Sequence, residues 1–332
     1  MDREQEEMQF LGFFGIIKES IKIIFTWRKI FSQLTVALIF PLSLISLAHI
    51  EITNLLFGKI NHDELELDHA KAETPEYNRL IDHVTSDLIK LWLFKTAYLV
   101  LCLIFSLLST SAVVYTIACV YTSQSITFRR VMSIVPKVWK RLMITFLWSF
   151  FVVFVYNVVT ALVIYLLIVL IQSTATALTL VIILLILYFA GLVYITVIWH
   201  LAGVISVLED TYGIQAMFKS KNLIKGKMRV SIALFLLLMI GSTVIQTGFN
   251  NLAANGSGSG FVRFVVAVLC FLLLFKWILF GLVVQTMIYF VCKSYHHENI
   301  DKLALADHLE AYLLAGYVPL KSHELQLEQV AV

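Results

Sequence analysis

The chain has 332 residues, 60% of them hydrophobic and 14% charged, with a net charge of +3 and a mean hydropathy of +0.87. A water-soluble domain cannot bury that much apolar surface, whereas a bilayer solvates it, so a soluble globular enzyme is excluded. Four prolines and 14 glycines exclude a long flexible linker, and four scattered cysteines (Cys102, Cys119, Cys270, Cys292) exclude a disulfide framework or a C-x-x-C zinc site.

The N-terminal Met1-Asp2-Arg3-Glu4-Gln5-Glu6-Glu7 is acidic, unlike a signal-peptide n-region, so the first span is expected to direct insertion and stay in place. Residues 1–29 form a predicted cytoplasmic amphipathic segment. Over residues 8–30, Phe10, Phe13, Phe14, Ile17, Ile21, Ile24 and Phe25 share a broad apolar face, with Lys18, Lys22 and Lys29 off it. Such a helix belongs in the headgroup region.

Six apolar runs follow, at about 30–49, 91–121, 142–171, 177–208, 230–249 and 261–292, each long enough to cross a bilayer. Pro41 lies in the first and predicts a kink whose freed carbonyl finds another partner. The second run is small and polar at mid-depth (Ser106, Ser109, Thr110, Ser111, Ala112), which suits close helix contact. Residues 51–90 hold nine acids against four bases and are expected to form a non-cytoplasmic loop. The connection before the third run carries Arg129, Arg130, Lys137, Lys140 and Arg141 without an acid. The one before the fifth sets Lys219, Lys221, Lys225, Lys227 and Arg229 against Glu209 and Asp210. Residues 293–332 are a predicted cytoplasmic tail, with a helical pattern at Leu303, Ala306, Leu309, Leu313 and Leu314.

Ser20, Ser133 and Ser220 each precede or accompany basic residues and then an apolar run. The chain therefore reads as an all-α integral membrane domain (30–292) of three pseudo-repeated hairpins, each preceded by a basic interfacial helix. The alternation of basic and acidic connections places both termini in the cytoplasm under the positive-inside rule, in an endomembrane or the plasma membrane.

Chemistry-bearing constellations are sparse. His62, His69 and His83 lie among carboxylates without metal-ligand spacing, as do His296-His297-Glu298. No phosphate loop, nucleophile elbow, cofactor motif or nucleic-acid motif occurs, so no catalytic residue is assigned. Lys276 is the one charge deep inside a run, where a lysine costs about 3 kcal/mol. It is expected to turn into the bundle towards Asn157, Thr160, Gln246 or Gln285. His200, two turns before Glu209, is a proton-sensitive group or a satisfied helix-end histidine.

Val207-Leu208-Glu209-Asp210, Gly213, Ala216, Lys219-Ser220 and Leu223-Ile224-Lys225-Gly226-Lys227 form a recognisable series. It resembles the membrane domain of bacterial glycerophosphoryl diester phosphodiesterases and related stand-alone bacterial membrane proteins. With Phe10-Leu11-Gly12, the acidic first connection and the basic ones, the whole chain resembles a family of plant six-span proteins. The resemblance implies a membrane-domain fold and no inherited catalytic residues, since no stretch outside the spans could hold a phosphodiesterase domain.

Two functions fit. One is a non-enzymatic protein that organises anionic lipids, membrane-protein partners or further copies of itself, using the ten basic residues of the connections before the third and fifth runs. The other is a small-solute transporter working around Lys276, Asn157, Gln246 and Gln285. In either case a protease added from the cytoplasmic side is expected to remove epitope tags from both termini while sparing residues 51–90. Asn255, although in a sequon, lies too near its flanking spans and is expected to stay unglycosylated, as read by the absence of a glycosidase-sensitive mobility shift.

Overall fold

The computed structural model describes residues 8–69, 75–122, 126–170, 174–254 and 259–296, and among them every regular element is helical. The C-terminal helical pattern from Leu303 and the Asn255 sequon lie outside these residues.

Helix α1 spans Phe13–Thr26 and α2 spans Arg28–Leu34. A π-helical turn, Thr35–Ile39, joins α2 to α3, Phe40–His69. The π turn sits just ahead of Pro41, which cannot donate to the carbonyl four residues back; widening the turn absorbs that mismatch. Then come α4 (Pro75–Tyr121), α5 (Phe128–Leu170), α6 (Thr174–Leu208), α7 (Ile214–Leu223) and α8 (Met228–Gly248). A second π segment, Phe249–Ala254, follows α8, and α9, Gly260–Tyr295, ends the described chain. Six helices are long and apolar enough to cross a membrane, which is the architecture of a multi-pass membrane protein.

Two expectations need correction in detail. Residues 51–69 and 75–90 are helical, so the acidic connection is an extension of α3 and α4 rather than an irregular loop. At 47 residues α4 is about 70 Å long, more than twice a hydrocarbon core. The pair is bound together at its base, where the His49 ring stacks on Tyr98 with centroids 3.7 Å apart. Asn54 Nδ2 donates to Asn250 Oδ1 at 2.6 Å, tying α3 to the second π segment. The second basic stretch likewise forms no helix of its own: it is the first part of the 43-residue α5, which runs through Pro136 into the third span. Only α1 and α7 are separate short helices before a span.

Burial is unequal along the bundle. A small second cluster of Leu47, Phe249, Ala253 and Leu274 aside, most buried residues of the spans lie near the ends of α4 (Ala112–Cys119) and α6 (Val197–Leu208), the start of α5 (Val131–Leu142) and the end of α9 (Val283–Cys292). Because successive spans run in opposite directions, these segments all lie at the end that carries the basic connections. Small residues make this possible: Ala112 and Ser111 of α4 are fully buried, and Ser111 Oγ donates to its own helix at Leu107 O, 2.8 Å away. Away from that end the helices present apolar side chains outward, as with Phe150, Phe154 and Leu162 on α5 and Ile182, Ile186 and Phe189 on α6. There α5 and α6 meet chiefly each other, through stacked Tyr156 and Tyr188 rings and a 2.7 Å bond from Tyr188 Oη to Asn157 Oδ1.

Helix α1 is apolar on two faces. Ile16, Ser20 and Ile23 are buried in the contact that includes α9, while Phe10, Phe14 and Phe25 remain more than 70% exposed. The inward set follows helical spacing through a small serine, which lets the helix lie close. Of the face expected to meet headgroups, Phe10, Phe14, Ile21 and Phe25 are exposed, whereas Phe13, Ile17 and Ile24 pack against the core.

Phe290 is 0% exposed at the packed end and Phe264 is 67% exposed on the same helix. Phe290→Ala should therefore lower unfolding stability in detergent by about 3–5 kcal/mol, whereas Phe264→Ala should lie within about 0.5 kcal/mol of the parent. Denaturant midpoints of the two variants check this.

Candidate functional site: a polar knot at the basic end

The residues that carry the recognisable series converge on one carboxylate. α6 ends at Leu208, and Glu209, next in the chain, is 11% exposed at the side chain. Its Oε2 receives Lys219 Nζ of α7 at 2.6 Å, and its Oε1 receives Lys293 Nζ of α9 at 3.0 Å. The Tyr289 hydroxyl donates to the same Oε1 at 2.7 Å. Lys293 Nζ also lies 3.2 Å from that hydroxyl and 5.5 Å from the Tyr289 ring centre. One side chain thus joins the end of α6, the middle of α7 and the end of α9.

The neighbouring residues fix the turn. Gly213, at φ +66°, precedes α7, and its N–H donates to Thr145 Oγ1 of α5 at 2.7 Å. That hydroxyl shares a 2.7 Å bond with Ser206 of α6. Asp210 takes Arg141 Nη1 at 2.9 Å, a second link to α5. Ala216 and Ser220 face inward on α7, fully buried, and Ser220 Oγ donates to Ile198 O at 2.8 Å. Gly226, at φ +89°, reverses the chain between α7 and α8; a Cβ there would lie 2.3 Å from the Tyr295 ring. Only glycine satisfies both the backbone and the close approach. Of the three serines in the proposed repeats, Ser20 and Ser220 are buried, whereas Ser133 is exposed.

The ten basic candidates divide accordingly. Lys219 and Arg141 are held by Glu209 and Asp210. Lys227 reaches Leu11 O at 3.4 Å and lies 5.3 Å from the Tyr295 ring centre, joining the N-terminal segment to α9. Arg130 is half-buried beside Tyr115 and Cys119 of α4, and Lys137 is also half-buried. Arg129, Lys140, Lys221, Lys225 and Arg229 are exposed; Lys225 Nζ bonds Asn222 Oδ1 at 3.0 Å, and its carbonyl meets His296 Nε2.

The intramembrane polar residues do not converge. Asn157 bonds Tyr188 across α5 and α6. Gln246 Nε2 donates to Ser242 Oγ one turn back on α8. Gln285 Nε2 donates to His200 O, joining α9 to α6. Lys276, expected to turn into the bundle, is exposed and bonds no other described residue. It shares the outward face of α9 with Leu269, Leu272 and Leu273, because Trp277 and Gly281 occupy the face against α8. Cys292 is fully buried. Among the described residues no three metal-ligating side chains gather at one point, and His62 instead faces Glu66 at 3.5 Å.

Burial pushes the Glu209 carboxyl up, but Lys219, Lys293 and Tyr289 together outweigh it and hold the group below its ordinary value of 4.5. A carboxylate with a lowered folded-state pKa contributes stability that is full above the ordinary value and is lost as pH falls through the lowered one. Glu209→Gln should cost about 2 kcal/mol, less than a fully buried pair because Lys219 keeps 36% of its side chain exposed. Thermal unfolding from pH 7 down to pH 3 should show the parent's stability approaching that of the variant at the acid end.

Chain-wide comparison agrees with this single-unit architecture. No curated protein and no solved structure matches the chain. A family sequence model matches residues 1–330, nearly every residue including the knot and all six spans, so the chain belongs to the family described as Domain of unknown function (DUF8558).

Proposed function

We propose that this is a non-enzymatic, multi-pass membrane protein that organises anionic lipids, and membrane proteins gathered with them, at the cytoplasmic face. The observation that carries the reading is how charge is distributed at the basic end. Glu209 and Asp210 take up Lys219, Lys293 and Arg141, and leave Arg129, Lys140, Lys221, Lys225 and Arg229 open. Exposed Phe10, Phe14, Phe25 and Phe218 lie on the segments between and beside them. A surface that offers both cations and aromatic rings suits a headgroup layer, where rings enter the boundary and cations meet phosphates.

The knot supports this reading mechanically. An amphipathic helix loose at the surface would bind lipid only after being ordered, whereas α7 is already held against α5 and α6. Nothing in this arrangement needs a reacting group, and the lysines tied to carboxylates serve as scaffold.

Each cation near an anionic leaflet contributes about 1 kcal/mol. Replacing Arg129, Lys140, Lys221, Lys225 and Arg229 together by Gln should therefore lower the enrichment of anionic over zwitterionic lipid around the protein by at least about tenfold. Mass spectrometry of lipid retained by the protein from mixed bilayers reads this. Unchanged enrichment in a folded variant would refute the proposal, and loss on replacing only Lys219 would point to the knot instead.

A further inference from the structure

A cavity of about 220 Å³ lies between α6, α8 and α9 and plays no part in the surface reading. Along α8 its lining runs from Ser231 to Ser242, and along α9 from Ile288 back to Trp277. Eleven rises of about 1.5 Å along each of two antiparallel helices make a slot about 16 Å long. It starts beneath the basic end, where Ser231 lies one turn inside α8, and reaches mid-span, where Trp277 Nε1 donates to Leu238 O at 3.0 Å.

Its walls are unequal. Most are apolar, with Phe235, Leu238, Met239 and Trp277 prominent, and Met239 is half-exposed, so the slot opens sideways between helices. The polar groups sit mainly at the basic end: the His200 ring, Ser231 and Gln285. The His200 ring packs 5.5 Å from Phe235 yet retains accessible surface, which belongs to the cavity wall. Gln285 is engaged with the His200 carbonyl, and Ser231 Oγ donates to Lys227 O. The Ser231 O–H is thus spent on its own helix, whereas the imidazole, which also meets the Gln285 side chain, has a second ring nitrogen for a further bond.

Two glycines shape the slot in opposite ways. At Gly241 a Cβ would lie 2.1 Å from Trp277, so that glycine lets the indole close the inner end. At Gly281 a Cβ would meet only Leu238, at 3.6 Å, an ordinary contact. The absent side chain at Gly281 leaves room rather than a tight helix crossing.

An apolar void of this size stays dry, and its walls lack contact partners on one side. At this depth the surrounding medium is hydrocarbon, so the molecule at the mouth is a lipid chain. We infer that the slot takes one acyl chain of a membrane glycerophospholipid, with its ester end at the His200 imidazole. Arg229, two residues before Ser231, then stands on the headgroup side. The inference deepens the lipid-organising reading by naming the part of the lipid that is held; it does not depend on the sign of the headgroup.

The test uses the full chain in bilayers doped with a phospholipid bearing a photoreactive group along one acyl chain, in anionic and choline forms, with adducts mapped by mass spectrometry. Adducts should concentrate on Phe235–Ser242 and Trp277–Gln285, above the level on the open flank of α5 at Phe150–Phe154. Filling the slot with Gly281→Leu, or from the facing wall with Ser242→Leu, should reduce slot adducts to the flank level in whichever variant retains its unfolding transition. Slot labelling no higher than the flank in the unaltered protein would overturn the inference, as would labelling that persists in a folded, filled variant. Slot labelling by both headgroup forms supports the slot even if the cationic face shows no anionic preference. Anionic enrichment without slot labelling sinks the slot and leaves the surface reading standing.

Discussion

The Glu209 carboxylate is the contact on which the basic end of this bundle depends. Inside a bilayer the hydrophobic effect does not press one helix against another, because lipid tails are as apolar as the side chains they would replace. Packing, hydrogen bonds and charge must then set which helices meet and at what height. Glu209 accepts from Lys219, Lys293 and Tyr289, and so fixes the ends of α6 and α9 at one level with α7 between them. Asp210 and Gly213 extend the same junction to α5 through Arg141 and Thr145. The cluster sits at the ends of membrane-length helices, with Glu209 only 11% exposed at the side chain, so its pairs are shielded enough to matter.

From that junction the packing spreads for a limited distance. Ser111, Ala112, Ala118, Ala202 and Ala216 are all fully buried near it, small side chains that let backbones approach. Farther along, the bulkier Phe150, Phe154, Ile182 and Phe189 face outward and α5 and α6 meet chiefly each other, while α3, α9 and the second π segment share a smaller cluster of Leu47, Phe249, Ala253 and Leu274. The cavity between α6, α8 and α9 belongs to this transition: Gln285 and His200 still bind helices at its basic end, while Met239 opens to the outside at the other. Tight packing at one end and open slots beyond it suit a protein that meets lipid along its sides as well as at its surface.

The six spans were readable because length and hydropathy alone decide whether a helix can cross a hydrocarbon layer. The outward apolar face of the N-terminal segment was readable in part. Phe10, Phe14 and Phe25 are outward, but the inward face through Ile16, Ser20 and Ile23 has no stronger periodicity than the outward one. A helix apolar on two sides does not announce which side has a protein neighbour. The helical extensions over 51–69 and 75–90 were hidden for the opposite reason: their many charges signal exposure, and exposure is equally compatible with a loop or a helix. The continuity of α5 through Pro136 was obscured by a residue that usually marks a break.

Composition and the order of apolar runs and charges determined that this chain is a six-span, all-helical membrane protein with a basic and an acidic set of connections. They could do so because partitioning between water and lipid is a property of each segment by itself. Tertiary structure decided which charges are available. Lys219 and Lys221 stand two residues apart, yet one binds Glu209 and the other is exposed; Lys276 turns outward because its neighbour Trp277 occupies the inner face. Those outcomes rest on helix rotation and on partners carried by other segments, Glu209 for Lys219 and Leu238 for Trp277, and no local pattern carries that information.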